Sequence, residues 1–455
     1  MKSQFVKRVV YPLHERMCGR DTFNYLRQLD RTQYLEREEI ETLQMDKLKA
    51  LLVLASKHSP WHQRRIAAAG MELESDASLT VDDLRRLPVM TKQDAIANGT
   101  DMVWHNVPGG AQKYTTGGSS GEPLIFHFGR KRQESDAAGR MRSRRWWGVD
   151  VGEREVYLWG APVELDKSML VRTFRDRLVN HMVLNAFGMS TDAMGEYVNA
   201  IARYRPSCIY GYASSLTLLA RFIRDSSLRI KLPMLRVVCT TGEPLYPYQR
   251  ELITEAFGVP VANEFGSRDI GFTAHESPSG QMLLLSESVI LEIIGPDGNP
   301  SPEGTSGEAV LTGLCSEAQP FIRYRTGDLI ANSGNRCSEG RGLHVLGQVS
   351  GRKTDMIVAP DGTIMHALAI IYVFREVEGV REFKFVQHSL TEFEAHVVPQ
   401  ANWAEAHEGQ IVKGLLGRLG DRAKISINLV QEIPEEKSGK HRYVVSHVPL
   451  PNGLS

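Results

Sequence analysis

Between about residues 155 and 260 the chain alternates short, continuous apolar runs with amphipathic helical stretches, and no other feature restricts its fold so strongly. Glu155-Val156-Tyr157-Leu158-Trp159, Ser207-Cys208-Ile209-Tyr210 and Leu235-Arg236-Val237-Val238-Cys239 read as strands. Ser214 to Arg224 and Tyr246 to Phe257, the second ending at Gly258, read as helices between them. A strand apolar on both faces must be covered on both, and a parallel sheet with crossover helices does that. The fold class predicted is therefore α/β, with helix-covered parallel sheets in a large N-terminal unit.

The flanking segments differ. Residues 1 to about 100 read mostly helical, with Leu43, Leu48, Leu51, Leu52, Leu54 and Ala55 at helical spacing until Ser59-Pro60. From about 281 to 330, short strands at Met282 to Leu285, Val289 to Ile294, Ala309 to Leu311 and Phe321 to Tyr324 alternate with Gly/Pro turns. That pattern predicts a small antiparallel sheet or partial barrel. Beyond a boundary placed at residue 354, strands and helices alternate at closer spacing: a helix near Leu368 to Val377, strands near Phe383 to Gln387 and Phe393 to Val398, a helix near Glu405 to Leu419 and a strand at Ile425 to Leu429. The expected division is a large domain, 1–353, and a small α+β C-terminal domain, 354–455.

Composition limits the function classes. The 455 residues carry 54 Lys plus Arg against 54 Asp plus Glu, so the basic excess of a general nucleic-acid or anionic-membrane binder is missing. No apolar run reaches the roughly 18 residues of a membrane span, and the N-terminus lacks the apolar core of a signal peptide. A cytoplasmic location is expected. Five cysteines, with no CxxC spacing among them, argue against a disulfide framework or a thiolate zinc knuckle.

Chemistry concentrates in six short segments. Tyr114-Thr115-Thr116-Gly117-Gly118-Ser119-Ser120-Gly121-Glu122-Pro123 groups hydroxyls and glycines at the end of a predicted strand. Such a loop can turn N–H and O–H donors toward a phosphate. It lacks the lysine of a Walker A loop and the GxGxxG spacing, and read by itself it is equally a flexible surface loop. Thr240-Thr241-Gly242-Glu243-Pro244 follows one strand, and Glu264-Phe265-Gly266-Ser267-Arg268-Asp269 follows the next. Tyr324-Arg325-Thr326-Gly327-Asp328-Leu329, Gly351-Arg352-Lys353-Thr354-Asp355 and Ser438-Gly439-Lys440-His441-Arg442 come later. Singly, Asp328 reads as a turn cap, Arg352 as a solvated boundary residue and Lys440 as part of a charged surface stretch.

In this order and at these separations the segments resemble the core motifs of the adenylate-forming superfamily of acyl-CoA synthetases, adenylation domains and luciferases. "SPWHQRRIAAAG", "LRRLPVMTKQD" and "YGYASSLTLLA" look like its phenylacetate–CoA ligase branch, CapK-like members included. The resemblance covers nearly the whole chain. It implies attack of a carboxylate on the α-phosphate of ATP, giving an acyl-adenylate and pyrophosphate, followed by transfer to CoA. It also implies a C-terminal domain that rotates between the two half-reactions. Transfer to an amine, a hydroxyl or a carrier-protein thiol is the alternative among enzymes, and a degenerate nucleotide-binding scaffold the alternative outside them. A homodimer is compatible with the resemblance.

The same resemblance assigns roles. Thr115, Thr116, Ser119 and Ser120 would bind the β- and γ-phosphates, with Gly117, Gly118 and Gly121 allowing close approach. Gly242 and Glu243 would lie against the adenine, and Phe265, next to Gly266, would stack on it. Asp269 would hold Mg2+, Asp328 would accept from both ribose hydroxyls, and Arg352 would reach the ribose or α-phosphate. Lys440 would bridge the carboxylate and the α-phosphate. Trp159, Tyr210 and Tyr212 would line the acyl pocket, for an aromatic acid by family, although aromatic filling of a sheet core explains them equally. The chain departs from the pattern at Phe265, Arg268 and Asp269, where Tyr, a small hydroxyl residue and Glu are usual, and at Thr354, where the hinge residue is usually Asp or Lys. Cys337 stands alone where many relatives cluster cysteines, which argues against a zinc site.

Overall fold

The computed structural model describes residues 2–74, 78–115, 124–159, 174–186, 189, 191–226, 230–242, 245–295, 297–351, 356–433 and 444–448. The N-terminal hundred residues are helical. The longest helix, Arg37–His58, starts where the Glu39 carboxylate accepts the Glu36 N–H at 2.9 Å and stops at extended Ser59 before Pro60. Its Leu48, Leu51, Leu52 and Ala55 pack on Ile66, Leu84 and Ile322.

The strands, in chain order, are β1 (Gln112–Thr115), β2 (Ile125–Phe128), β3 (Glu155–Trp159), β4 (His181–Asn185), β5 (Cys208–Tyr212), β6 (Val237–Thr241), β7 (Val261–Ser267), β8 (Gly271–Glu276), β9 (Met282–Leu284), β10 (Val289–Ile294), β11 (Ser306–Gly313), β12 (Tyr324–Ala331), β13 (Val345–Leu346), β14 (Val349–Gly351), β15 (Met356–Val358), β16 (Ile364–His366), β17 (Val380–Gln387), β18 (Glu392–Pro399), β19 (Lys424–Leu429) and β20 (Val444–Ser446). The main sheet has eight strands in the order β13-β9-β8-β7-β6-β5-β3-β4. Its β4-β3-β5-β6-β7 half is parallel and its other half antiparallel.

The α/β class expected from the sequence is observed. One face of the parallel half carries Val156, Leu158, Ile209, Val238 and Val261 against helices Thr191–Tyr204, Ala213–Asp225 and Pro247–Phe257. The third helix ends at Gly258 with φ of 70°, a left-handed stop that suits glycine. The other face is crossed by helix Arg130–Trp146, which sequence periodicity did not reveal. Its buried side chains include Arg132, Arg142 and Arg144. The expected antiparallel sheet is present as β10-β11-β12-β14. Met282–Leu284 belongs elsewhere: it pairs with β8 and extends the main sheet. Phe321 and Ile322 precede β12 as buried residues outside any strand.

Residues 356–433 and 444–446 form a hairpin, β15-β16, and a four-stranded sheet in the order β19-β18-β17-β20. Helices Ala367–Arg375 and Glu405–Leu419 cover that sheet around Phe374, Phe383, Phe385, Phe393 and Leu415. This unit has its own apolar cluster, with no residue shared with the clusters of the main sheet among the described residues. Among the described residues no helix is long and apolar enough to cross a membrane.

Candidate active site

In a parallel sheet, ligands gather at the carboxyl ends of strands where the chain reverses its direction of winding. Here β3 is followed by β4 on one side, whereas β5 and β6 lie on the other. The reversal point therefore falls between the carboxyl ends of β3 and β5, at Trp159 and Tyr212. The register fixes what lies beside it. Leu158 pairs with Gly211, Tyr212 with Thr241, and Thr241 with Glu264. Trp159, Tyr212, Thr241 and Glu264 thus form one row across four strands, with Tyr210 two residues earlier on the same face. Trp159 stacks on Tyr212 at 4.5 Å between ring centroids and on Tyr210 at 5.7 Å. Of the three aromatic residues expected at the acyl pocket, Trp159 thus touches both of the others.

The turn after β6 is shaped by Gly242. Its φ is 76°, a left-handed backbone that favours glycine, and a Cβ there would press on the Tyr212 ring at 3.2 Å. Glu243 lies outside the described residues.

The end of β7 is tied to helix Arg130–Trp146. Arg132 donates to the Asp269 carbonyl at 2.6 Å and also to the Arg268 carbonyl. Its guanidinium lies over the rings of Phe126 and Phe128, 5.5 and 5.4 Å from their centroids. One arginine thereby joins the β1–β2 hairpin to the Arg268–Asp269 turn. Thr115 ends β1 at the tip of that hairpin, opposite Ile125. Thr116 and the run Gly117, Gly118, Ser119, Ser120 and Gly121 lie outside the described residues.

Asp269 is almost fully buried, and its Oδ1 accepts the Ile270 N–H at 3.3 Å. Arg268, one of the residues that depart from the family pattern, donates to the Thr115 carbonyl at 3.3 Å and to the Tyr372 hydroxyl at 2.8 Å. Burial opposes its charge, but Tyr372 and other nearby phenols outweigh this and hold the guanidinium above its ordinary range. Arg268 therefore links the hairpin tip to helix Ala367–Arg375. Phe265 is half-buried and packs on the cluster of Phe126, Ile270 and Tyr324, so one side of its ring is spent on core packing.

Thr326, Gly327 and Asp328 form a bulge in β12. Glu308 pairs with Leu329 and Val310 with Arg325, so three residues stand opposite Ala309 alone. Gly327 takes a φ of 79°, Thr326 Oγ1 donates to the Ala309 carbonyl at 3.3 Å, and the Asp328 N–H donates to Thr326 Oγ1 at 3.2 Å. The half-buried Asp328 is thus presented by a fixed backbone. Gly351 in β14 pairs with Leu329, next to Asp328. Arg352 and Lys440 lie outside the described residues, as does the boundary at residue 354.

Sequence reasoning missed two polar residues. Glu264, 5% exposed, opens the β7 motif but received no role, and Arg140 lies on a helix that was not recognised. Tyr210 donates to Glu264 Oε1 at 2.6 Å, Thr241 Oγ1 does so at 3.2 Å, and Arg140 Nε stands 3.7 Å from it. Burial, and then the charge of Glu264, push the Tyr210 phenol well above its usual range, so it remains a donor. Arg140 also borders a cavity of about 80 Å³ lined by Arg144, Glu155, Tyr157 and His181. Its spacing to Asp136 on the helix was the one available signal. Asp136 accepts the Phe272 N–H at 3.0 Å, and a Cβ on Gly271 would meet its carboxylate at 2.3 Å.

Among the described residues no group of three His, Cys, Asp or Glu side chains suits a metal ion. Cys337 packs with Ile40, Leu283 and Leu343.

The fold is that of an adenylate-forming ligase. A crystal structure of 2-hydroxyisobutyryl-CoA ligase, complexed with 2-HIB-AMP and CoA in the thioesterification state, superposes with a TM-score of 0.62 at 21% identity, covering 92% of this chain and 91% of that one. Protein CapK of Staphylococcus aureus is 22% identical over 441 residues, 95% of this chain and 94% of CapK. Phenylacetate-coenzyme A ligase of Thermus thermophilus is 27% identical over 339 residues, 71% of this chain and 73% of the ligase. Residues 357–447 match the family of CapK C-terminal domains. By these matches the chain is similar to the phenylacetate–CoA ligase and CapK-like branch of the adenylate-forming superfamily.

Proposed function

We propose that this chain is a cytoplasmic, ATP- and Mg2+-dependent ligase that converts a carboxylic acid to its acyl-adenylate, releases pyrophosphate and passes the acyl group to CoA. The observation that carries this reading is the meeting of three backbone devices around one apolar cluster: the β1–β2 hairpin, the Arg268–Asp269 turn and the Thr326–Asp328 bulge. Each is fixed by hydrogen bonds or a left-handed glycine, as preorganised binding of a large anion requires. The adenylate and CoA complexes of the 2-hydroxyisobutyryl-CoA ligase, and the activity named for the Thermus thermophilus relative, support both half-reactions.

In this reading Thr115, Thr116, Ser119 and Ser120 donate to the β- and γ-phosphates. Gly242 and Glu243 lie along the adenine and Phe265 offers it the free side of its ring. Asp328, held from behind by Thr326, accepts from the ribose hydroxyls, and Arg352 reaches the ribose or α-phosphate. Lys440 places a cation between the acid's carboxylate and the α-phosphate, where negative charge grows as the new P–O bond forms and pyrophosphate departs. Asp269 fits Mg2+, since that ion takes one or two carboxylates and completes its shell with phosphate oxygens and water. Bound there, the ion would neutralise phosphate charge. The stacked wall of Trp159, Tyr210 and Tyr212 supports an acid with a flat, ring-bearing acyl part. The 354–455 unit would act as a separate domain that turns between the half-reactions, as its separate apolar cluster allows.

A second reading keeps the same adenylation and passes the acyl group to an amine, a hydroxyl or a carrier-protein thiol; the likeness to CapK leaves that acceptor open. Acid-dependent exchange of pyrophosphate into ATP tests the first step, and thioester formation with CoA tests the second. The expected result is Mg2+-dependent exchange with at least one acid and consumption of CoA thiol. Exchange without CoA consumption selects the second reading. Absence of exchange across aliphatic and aromatic acids would sink the ligase in favour of a nucleotide-binding scaffold.

A further inference from the structure

Glu264 and Arg140 pose a problem that the adenylation reading does not solve. Both stand beside the aromatic wall of the proposed acyl pocket, Glu264 in the same cross-strand row as Trp159 and Tyr212. Glu264 is 5% exposed, and one of its oxygens, Oε1, accepts from both Tyr210 and Thr241. Among the described residues the other oxygen, Oε2, has no hydrogen-bond partner, and Arg140 Nε has none either, although it stands 3.7 Å from Oε1. An acceptor and a donor, each on a charged group, are therefore buried and unsatisfied side by side. The two charges form a loose ion pair, but leaving these two atoms without a hydrogen bond is costly, and an apolar pair of the same volume would avoid the cost.

We infer that the acid activated by this chain carries a hydroxyl on its acyl part, which donates to Glu264 Oε2 and accepts from Arg140 Nε. This rests on the proposed adenylation function. Other substituents fit less well. A methyl or unsubstituted ring edge would bury both polar atoms without pairing either. An ammonium group would suit Glu264 but meet the guanidinium. That guanidinium stays charged: burial opposes its charge, but Glu264, Tyr210 and Asp136 outweigh this and hold it above its ordinary range. A second carboxylate would suit Arg140 but be repelled by Glu264. A hydroxyl is neutral, donates once and accepts, and so satisfies both. Sites built to pair a substrate hydroxyl discriminate strongly against analogues lacking it, because their own polar groups are then left unpaired.

Pyrophosphate exchange should be measured with butyrate and phenylacetate, each beside its hydroxy, amino and carboxy derivatives. The enzymes are the wild type, Glu264→Leu, and Glu264→Gln, which keeps the volume and removes the charge. The expected result is a hydroxy acid preferred over its parent by roughly tenfold to a hundredfold in kcat/KM. Glu264→Leu should abolish that preference while parent acids still turn over, and Glu264→Gln should reduce it. Equal rates for hydroxy acids and parents, a preference unchanged by either substitution, or a preference for the amino or carboxy derivatives would overturn the inference while leaving adenylation standing. Wild-type protein that binds ATP but exchanges pyrophosphate with none of these acids would overturn the adenylation reading, and this inference with it.

Discussion

Arg142 and Glu287 are each about 1% exposed and meet at 2.6 Å. Thr32 also donates to the Glu287 oxygen involved, at 2.8 Å. Two charges so deep are tolerable only together. Arg142→Leu should destabilise the protein by about 3–5 kcal/mol, because Glu287 would be left as a buried, unpaired charge. Adding Glu287→Leu should recover most of that loss in urea unfolding, and a double variant as unstable as the single one would refute the pairing argument. Asp328 gives a second residue-scale prediction. With its backbone fixed by Thr326, Asp328→Ala should remove two ribose hydrogen bonds, each worth roughly 1.5–3 kcal/mol, without altering the fold. ATP titration should show the affinity falling while the unfolding midpoint stays in place. Unchanged affinity would take Asp328 out of the nucleotide site.

At the scale of elements, β5 packs unusually close to β3. A Cβ on Gly211 would sit 2.6 Å from the Leu158 carbonyl oxygen, so Gly211→Ala must push the two strands apart at the reversal point. The expected cost is about 1–3 kcal/mol, with loss of activity out of proportion to the loss of fold, since Trp159 and Tyr212 flank the gap. Activity unchanged in that variant would place the acid elsewhere. The elements also show what the sequence makes legible. The parallel strands and their helices could be read because each is apolar where it packs, and the turns at Gly242 and Gly327 stood out because a left-handed backbone there favours glycine. Helix Arg130–Trp146 could not, because it buries arginines and serines rather than an apolar stripe. The half-exposed strand β4 gave no pattern either. Placing β9 in the main sheet depends on pairing with β8, which no local propensity encodes. Glu264 and Arg140 acquire meaning only across that same kind of long-range contact.

Over the whole molecule, stability should fall in mild acid. His62 is buried and its Nε2 lies 2.8 Å from the Pro320 carbonyl; burial first, and then Arg65, push its pKa down to about 3. His344 is pushed down to about 4 by burial and by Arg37 and Arg336. Both pKa values lie below the unfolded value of about 6.5, so the unfolded chain takes up protons that the native state refuses. This contribution is complete above pH 6.5 and is lost as the pH falls toward the native values. By pH 5 the loss should be on the order of 2 kcal/mol for His62, and less for His344, whose ring is 28% exposed. Urea midpoints at pH 7 and pH 5 measure the loss, and His62→Gln should shrink the difference; a pH-independent midpoint would contradict the assignment. The row Trp159, Tyr212, Thr241 and Glu264 has a different kind of consequence. These side chains stand on strand backbones, whereas the hairpin tip, the Arg268–Asp269 turn and the Thr326–Asp328 bulge lie outside that row. If the proposed function holds, a lineage could exchange the row's side chains, drifting toward a new diet of acids, while the backbone devices proposed to spend ATP are inherited intact.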